Sequence, residues 1–298
     1  MRKVARIILG VLFLLSSISK LFSMEGFELY IFTFGAAGFD FCSYAARLIV
    51  AAEFIIGLGL LTRVSYRLFK YATALFLSVF SLFLLWRIAV GDSESCHCMG
   101  DIVDLNPLES LIKNICLALF LVLAWKAEDR PINHRNLWLC ISSSVVMAAV
   151  FIVVPPDAFY RIGRSSNDIN IEEFTSVADS LGYSDGRRMI CLYSATCEHC
   201  RNSASKMAGI IRRHDIPVDS VSVIFMQTHQ QQDSVSLDFF KRYGEGLELP
   251  SSYLHPYSFI PMTNGAMPLV VLFEDGVLVK EFDYFSIDER EIAAFWLR

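Results

Sequence analysis

The stretch Arg188–Cys200, RMICLYSATCEHC, decides the fold of the second half of the chain. Arg188–Ser194 is apolar between polar neighbours, which predicts a buried strand. A helix is predicted to begin at Glu198, so the Cys197/Cys200 pair stands at the turn from strand into helix. The helix dipole and the free backbone N–H groups at that end favour a thiolate on Cys197. Cys200 follows one turn later, within reach for a disulfide.

Two other chemistries of a Cys-x-x-Cys pair lack their partners in this sequence. A zinc ribbon needs a second such pair or two suitably spaced histidines, and neither is present. Haem attachment needs a histidine directly after the second cysteine, where Arg201 stands. The pair therefore predicts thiol–disulfide chemistry. Cys191, on the predicted strand, is expected to be an inert packing residue.

Regular elements are predicted on both sides of this pair. Capping boxes at Asn170–Glu173 and Ser286–Glu289 predict the starts of an early and a last helix. The other predicted elements are the helix from Glu198 to about His214, the strand Val221–Met226, the helix Ser236–Tyr243, and a hairpin of Leu269–Phe273 and Val277–Phe282 around Asp275-Gly276.

This order of elements, with Cys197/Cys200 ahead of the first helix and Met267-Pro268 ahead of the hairpin, resembles the thioredoxin fold over about Gly182–Arg298. The resemblance implies that Cys197 is the attacking cysteine and Cys200 the resolving one. It also implies that Met267-Pro268 is a cis-proline turn that faces the pair and binds substrate.

The sequence departs from the usual Trp-Cys-Gly-Pro-Cys of that fold. Ala195-Thr196 replaces the aromatic lead, and Glu198-His199 fills the dipeptide between the cysteines. A histidine there stabilises the thiolate and makes the disulfide more oxidising, whereas Glu198 opposes that effect. The redox poise therefore stays open at the level of sequence.

The first half of the chain has the composition of a membrane protein. Of the 298 residues, 54% are hydrophobic and 19% are charged, and most of the charge follows Pro156. A spanning helix needs roughly 20 apolar residues. The first apolar run, after Met1-Arg2-Lys3, is also typical of a signal peptide, but we expect it to be retained. The five predicted spans are Val4–Ser23, Tyr44–Thr62, Tyr71–Val90, Leu108–Lys126 and Leu137–Pro155.

Lysine and arginine are distributed unevenly between the loops, which predicts orientation. The loops Met24–Ser43 and Gly91–Pro107 contain none, and we expect them outside. The N-terminus is then cytoplasmic, and everything after Pro156 is periplasmic in a bacterial inner membrane. The net charge of −5, without basic clusters, gives no reason to expect nucleic-acid binding. The basic residues that face the cytoplasm are Arg2, Lys3, Arg63, Arg67, Lys70, Lys126, Arg130 and Arg135.

Several motifs in the first half point to one family. They are Ser19-Lys20-Leu21-Phe22, Glu53, Gly57-Leu-Gly-Leu60 and Cys96-His-Cys98-Met-Gly100. Over about Met1–Trp125 they resemble the DoxX/MauE group of small four-helix membrane proteins, and the Cys-x-Cys-x-Gly element is the most specific. The MauE branch is associated with maturing a disulfide-rich periplasmic dehydrogenase, so the resemblance implies thiol–disulfide work.

Cys96 and Cys98 form a second redox candidate in the predicted outer loop. A disulfide between residues one apart is strained and easily reduced, which makes it a ready electron acceptor. Cys42, at the outer end of the second span, is an alternative partner. The alternative function is metal handling, because Cys96, His97 and Cys98 suit a soft ion such as Cu(I).

Four charged residues lie within the predicted spans, where charge is costly and often functional. Lys20, Arg47 and Arg87 are near the outer ends and are expected to make that mouth electropositive, or to hold an anionic or quinone headgroup. Glu53, which lies deeper, is expected to be their counter-charge or a proton relay. Snorkelling to lipid headgroups is the alternative for Lys20, Arg47 and Arg87.

The predicted fold is a membrane α-helical bundle, four helices plus a fifth span, followed by a soluble α/β thioredoxin-like domain. The predicted divisions are 1–126, 127–156 and 157–298. The predicted function is a membrane thiol–disulfide oxidoreductase that relays electrons between Cys197/Cys200 and Cys96/Cys98 and acts on extracytoplasmic protein thiols or disulfides. Its layout is similar to vitamin K epoxide reductase fused to a thioredoxin domain, so a quinone is an open expectation and no metal is required. The rivals are a copper-handling protein and a membrane-anchored thioredoxin-like protein with a non-redox bundle.

Overall fold

The computed structural model describes residues 2–91, 105–126, 135–162, 168–227, 239–240, 242–244 and 246–297, without the side chains of 135 and 136. Cys96 and Cys98 lie outside these residues. The chain divides into two compact units, the first made of Met1–Ile31 and Phe41–Pro156, and the second of Phe32–Asp40 and Asp157–Arg298. Residues 32–40 thus group with the C-terminal half, which a division by sequence position does not anticipate. The predicted boundaries at 126 and 156 stay predictions.

The described part of the N-terminal half is helical. Its helices are α1 (Arg2–Phe22), α2 (Met24–Thr33), α3 (Phe39–Thr62), α4 (Tyr66–Val90), α5 (Pro107–Ala124) and α6 (Arg135–Val153). The helices α1, α3, α4 and α5 are long and apolar enough to cross a membrane, which confirms four predicted spans. The apolar part of α6, Leu137–Val153, is shorter, so the fifth span stays a prediction.

Large apolar side chains point outward from the long helices. Leu75 and Leu82 in α4 and Val122 in α5 each expose about two thirds of their surface. Water would make such a surface unfavourable, whereas lipid hydrocarbon is its natural surrounding. The exposed faces therefore fit a membrane-embedded bundle.

Met24–Ser43, which is predicted to be a loop, is partly helical. Helix α2 occupies the first ten residues and begins with Glu25 in its first turn, where a carboxylate favours the helix dipole. Ten residues are too few to span a bilayer, so a hydropathy pattern of spanning length does not reveal this short apolar helix.

Helices α1 and α3 approach closely at two glycines. A Cβ added to Gly10 would lie 3.1 Å from the carbonyl oxygen of Gly57, and one added to Gly57 would lie 3.0 Å from that of Gly10. Further along, Ser17 Oγ donates to the Val50 carbonyl at 2.9 Å. Small residues that let backbones approach are a common way to pack membrane helices.

The second unit is built on a five-stranded mixed sheet. Its strands are β1 (Arg187–Tyr193), β2 (Val221–Met226), β3 (Ser251–Leu254), β4 (Leu269–Glu274) and β5 (Val277–Asp283), in the spatial order β3-β2-β1-β4-β5. Strands β1, β2 and β3 run parallel, while β4 is antiparallel to β1 and β5. Its helices are α7 (Asp157–Arg161), α8 (Ile171–Ser180), α9 (Glu198–Arg213), α10 (Pro256–Thr263) and α11 (Glu289–Leu297).

Most regular elements of this unit were predicted from the sequence. The central strand β1 is buried from Met189 to Tyr193, as its continuous apolar run predicts. The hairpin turn is confirmed, since Asp275 and Gly276 both have positive φ (48° and 80°), as a tight two-residue turn between strands requires. The predicted helix Ser236–Tyr243 falls largely outside the described residues.

Two elements, β3 and α10, were missed. Strand β3 is a four-residue, half-buried edge strand, so it carries almost no periodic signal. Helix α10 contains Pro256 at its start and Pro261 inside it, and prolines in a sequence suggest a loop. Pro256 is tolerated because the first helical position has no N–H partner to lose.

Both predicted capping boxes were wrong in detail. Asn170 stands at the N-cap of α8 without a side-chain capping bond, and its own N–H donates to the Met262 carbonyl at 2.9 Å. The last helix begins at Glu289, and the Asp288 carboxylate caps it by accepting from Arg290 N at 2.8 Å. Long-range contacts replace the local pattern in the first case.

Residues 32–40 pack within the second unit against α9 and α11. The ring of Phe32 leaves no room for a Cβ on Gly209 of α9. Phe39 N donates to the Glu289 carboxylate at 2.7 Å, and Lys206 Nζ lies 3.8 Å from the centre of the Phe39 ring. Helix α9, which follows the Cys197/Cys200 pair, is thus packed against residues 32–40, which are distant from it in the sequence.

Candidate active site

Cys197 is the N-cap residue of α9 and is partly exposed. Its backbone is extended (φ −84°, ψ 124°), and its Sγ accepts from the backbone N of Cys200 at 3.4 Å. The strand β1 ends at Tyr193, and the chain turns once before the helix begins. A sulfur that receives an N–H at a helix N-terminus is stabilised as a thiolate.

Cys200 has the opposite environment, although it lies one turn away. It is fully buried, and Ser194 N donates to its Sγ at 3.4 Å. Burial raises the pKa of the Cys200 thiol above its ordinary value, and the hydrogen bond with Cys197 adds to the rise. The accessible sulfur of Cys197 is therefore the one that can attack a partner, and the protonated Cys200 can resolve the product.

Met267-Pro268 lies beside this pair through the register of the sheet. Its peptide bond is cis. Leu269, the first residue of β4, pairs with Leu192 in antiparallel β1, so Pro268 stands opposite the end of β1 from which the chain runs into Cys197. The sheet thus brings together residues about seventy positions apart in sequence.

His199 is exposed, and its ring lies against two aromatic side chains after β5. The ring centres of His199 and Tyr284 are 4.8 Å apart at an interplanar angle of 33°. Phe285 is 5.9 Å away in an edge-on arrangement. Neither aromatic residue was predicted, although an aromatic pair directly after the last strand is a signal that the sequence carries.

Cys191 is buried in the sheet beneath the active site. Burial raises its pKa to about 12, so the thiol is protonated and unreactive, in keeping with a packing residue. Tyr193, two residues on, is buried as well, and its hydroxyl shares a hydrogen bond of 2.9 Å with Ser203 of α9.

In the first unit, Lys20 and Glu53 form a buried ion pair between α1 and α3. Lys20 Nζ lies 2.8 and 3.0 Å from the two Glu53 oxygens, and it also donates to Ser16 Oγ at 2.8 Å. The two side chains are 3% and 8% exposed. The structure thus brings together two of the predicted residues.

Arg47 is paired with a residue that the sequence analysis missed. Its guanidinium lies 2.7 Å from the Glu28 carboxylate and donates to the carbonyls of Ser43, Val154 and Pro155 at 2.7–2.8 Å. Glu28 is on α2, the helix that was taken for a loop. The sequence signal for Glu28 was an acidic residue within an apolar segment.

Arg87 is also buried, with 2% exposure. It donates to the Tyr30 hydroxyl at 2.5 Å and lies 5.0 Å from the centre of that ring. Burial inside the protein contradicts the snorkelling alternative for Arg47 and Arg87. The expectation of a shared electropositive mouth is also weakened, because Lys20 and Arg47 each have a carboxylate of their own.

The described part of the first unit contains a mainly apolar cavity away from these charged residues. The cavity, of about 280 Å³, is lined by side chains that include Ile55, Phe69, Trp138 and Val146, and none of the four charged residues predicted to bind a cofactor lines it. The described residues also contain no group of three or more His, Cys, Asp or Glu that could hold a metal ion.

Comparison with known proteins gives matches to both halves. Residues 2–127 match the family model described as methylamine utilisation protein MauE. Over 294 residues the chain is 22% identical to Protein TlpB of Flavobacterium psychrophilum, covering 80% of this chain and 79% of that protein.

Two solved structures are also similar. One is a secreted Mycobacterium tuberculosis disulfide oxidoreductase homologous to E. coli DsbE, at 12% identity and a TM-score of 0.30, covering 39% of this chain and 83% of that one. The other is StoA from Bacillus subtilis, at 15% identity and a TM-score of 0.28, covering 38% and 84%.

A MauE-like membrane domain precedes a thioredoxin-like domain. The second assignment rests on the strand order, the Cys197/Cys200 pair at the start of α9, and the cis Pro268 beside it. An accessible sulfur at a helix N-terminus, paired with a buried thiol, makes this domain a thiol–disulfide oxidoreductase. Because the MauE-like domain carries the membrane helices, the enzyme is a membrane protein.

Proposed function

We propose that the chain relays electrons between its thioredoxin-like and MauE-like domains. The observation that carries the proposal is the asymmetry of Cys197 and Cys200, since one sulfur is accessible at a helix N-terminus and the other is buried. Such a pair exchanges disulfides with a second pair, and the same chain carries Cys96 and Cys98. Covalent linkage keeps both pairs at high effective concentration.

The proposed exchange has two balanced steps. The Cys197 thiolate attacks the Cys96–Cys98 disulfide, forms a mixed disulfide, and releases one of those cysteines as a thiolate. Cys200 then loses its proton and attacks Cys197, which closes the Cys197–Cys200 disulfide and releases the second thiolate. Two electrons have moved to Cys96/Cys98, and the reverse sequence returns them.

The outer partners of the relay are extracytoplasmic protein thiols or disulfides, with the thioredoxin-like domain in the periplasm. The absence of Lys and Arg from the loops Met24–Ser43 and Gly91–Pro107 supports this orientation. A quinone as final acceptor stays an expectation. Lys20, Arg47, Glu53 and Arg87 do not line the cavity described in the first unit, and no step is assigned to a quinone.

The test is to trap the mixed disulfide. In a Cys200→Ser variant, a disulfide formed by Cys197 cannot be resolved from within the domain. Membranes are quenched with an alkylating reagent and digested without reductant, and linked peptides are identified by mass spectrometry. We expect a peptide that joins Cys197 to Cys96 or Cys98.

The matched control is Cys197→Ser, which leaves the buried thiol of Cys200 and is expected to give no linked peptide. If Cys197 in the Cys200→Ser variant is found free, or joined to other proteins with no link to Cys96 or Cys98, there is no internal relay. The thioredoxin-like domain would then act as an anchored oxidoreductase.

A further inference from the structure

The segment that follows β5 forms an aromatic platform beside the active site. Tyr284 is buried, and its ring packs on Phe285 with 5.1 Å between centres. The imidazole of His199 rests against both rings, at 4.8 and 5.9 Å. A histidine between two active-site cysteines is thus held on one side by side chains from the far end of the domain.

The platform is fixed by its own neighbours. Just before and after it, Ser286 N donates to the Asp283 carboxylate and Asp283 N donates to Ser286 Oγ, each at 2.7 Å. From the other side, the Tyr160 ring of α7 packs on Phe285 at 5.1 Å. The two reciprocal bonds close the turn that carries both rings, and the ring contact with Tyr160 restrains Phe285.

An exposed histidine without such contacts would sample several rotamers. Its average electrostatic effect on a neighbouring sulfur would therefore be smaller. Ring contacts restrict those rotamers, and aromatic faces also favour a cation placed against them. An imidazolium held near Cys197 stabilises its thiolate and therefore the reduced pair, which makes the disulfide more oxidising.

We propose that Tyr284 and Phe285 are positioning residues that hold His199 against the Cys197/Cys200 pair and so set its redox equilibrium. The inference rests on the proposed function only in taking Cys197/Cys200 as a reversible dithiol. It does not depend on whether Cys96 and Cys98 receive the electrons.

The test is the equilibrium constant of the Cys197/Cys200 disulfide with glutathione, measured on the full-length protein by quenched alkylation. Tyr284→Leu removes the ring, and we expect the disulfide to become harder to reduce, with the constant shifted about three- to tenfold. Tyr284→Phe keeps the ring and should restore a value close to that of the unchanged protein. Tyr257→Leu, at a tyrosine that is 87% exposed, is the control for losing an aromatic ring elsewhere.

A double-mutant cycle with His199→Ala separates positioning from general destabilisation. If the platform acts through the imidazole, Tyr284→Leu has little further effect once His199 is alanine. The proposal is overturned if Tyr284→Leu has the same effect in both backgrounds, or no effect in either. Phe285→Leu repeats the cycle should the first variant fold poorly. A negative trapping result for Cys96 or Cys98 leaves this measurement intact, so the two proposals fail separately.

Discussion

Each unit contains a buried lysine with a carboxylate partner, and the two sites are close counterparts. Lys20 in the MauE-like domain is 3% exposed and lies 2.8 Å from Glu53. Lys206 in the thioredoxin-like domain is 1% exposed and lies 2.8 Å from Asp157. Transferring two charges from water into the protein interior costs more free energy than their mutual attraction supplies, unless further interactions stabilise them. Each pair therefore needs a reason to exist.

The surroundings of the two pairs differ in what they hold together. Lys206 joins three separate parts of the chain, because it binds Asp157 of α7, lies over Phe39, and belongs to α9. Lys20 and Glu53 join α1 and α3, which already pack at Gly10 and at Gly57, and Lys20 Nζ also lies 5.7 Å from the centre of the Phe27 ring on α2. The Lys206 pair thus links segments that are far apart in the sequence, whereas the Lys20 pair joins helices that are also held together by close backbone packing. This favours a functional role for Lys20–Glu53.

The largest expected effect is on stability at Lys206. Lys206→Met leaves the Asp157 carboxylate without its cation, and removing one partner of a buried pair costs about 3 kcal/mol or more. We expect a lower free energy of unfolding in urea and faster hydrogen exchange along α9. Arg212→Met, at an exposed position of the same helix, is the control.

A second variant makes this prediction sharper. Adding Asp157→Asn to Lys206→Met removes the unpaired charge, so the double variant should be more stable than Lys206→Met alone. If the unfolding free energy of Lys206→Met equals that of the unchanged protein within experimental error, the Lys206–Asp157 pair does not stabilise the thioredoxin-like domain.

The next effect is on activity at Lys20 and Glu53. The double change Lys20→Met/Glu53→Gln removes both charges together, so α1 and α3 should still pack through their glycines. If the pair is functional, exchange between Cys197/Cys200 and Cys96/Cys98 in membranes should slow at least about tenfold, which corresponds to about 1.4 kcal/mol of activation free energy. The rate is read by quenched alkylation.

Thr73→Val is a suitable control for this variant, since Thr73 is a buried polar residue of α4. A double variant that inserts normally and exchanges disulfides at the normal rate would show that Lys20–Glu53 is structural after all. The two lysine sites would then be equivalent, and the reason for a charged pair in the membrane would have to be sought in assembly.

Several features of the fold that depend on local sequence patterns were predicted correctly. The apolar runs of α1, α3, α4 and α5 and the strand–cysteine–helix order at Cys197 were confirmed because length and periodicity decide them. The pairing of Lys20 with Glu53 could also be predicted, because charged residues are easily recognised in apolar helices.

The remaining features depend on contacts between distant parts of the chain. Glu28 was missed as the partner of Arg47, and Tyr284 as the neighbour of His199, because neither spacing has a local signature. Lys206 is a similar case, since a lysine in a polar helix is ordinarily exposed. Its surroundings include Phe39 from residues 32–40, which no periodicity assigns to this domain.

Another buried ionisable group, Cys191, extends the comparison to a residue that lacks a cationic partner in the described contacts. Its folded-state pKa is raised to about 12 by burial, whereas an ordinary cysteine titrates near about 8.5. Its contribution to stability is therefore fully present below that ordinary value and is lost as pH rises towards 12. Between about pH 7.5 and pH 9.5 the loss is on the order of 1 kcal/mol for the reduced protein.

Urea unfolding of the reduced protein at those two pH values measures this loss. In Cys191→Ala the decline between the two pH values should be smaller by an amount on the order of 1 kcal/mol, while lost packing lowers stability equally at both. Val223→Ala, at the residue paired with Cys191 in the sheet, loses packing without a thiol and should keep the full decline. An unchanged decline in Cys191→Ala would mean that the thiol ionises in the fold as readily as in the unfolded chain. Burial alone would then not keep a group neutral here, and the need for a carboxylate beside Lys20 and Lys206 would lose its physical basis.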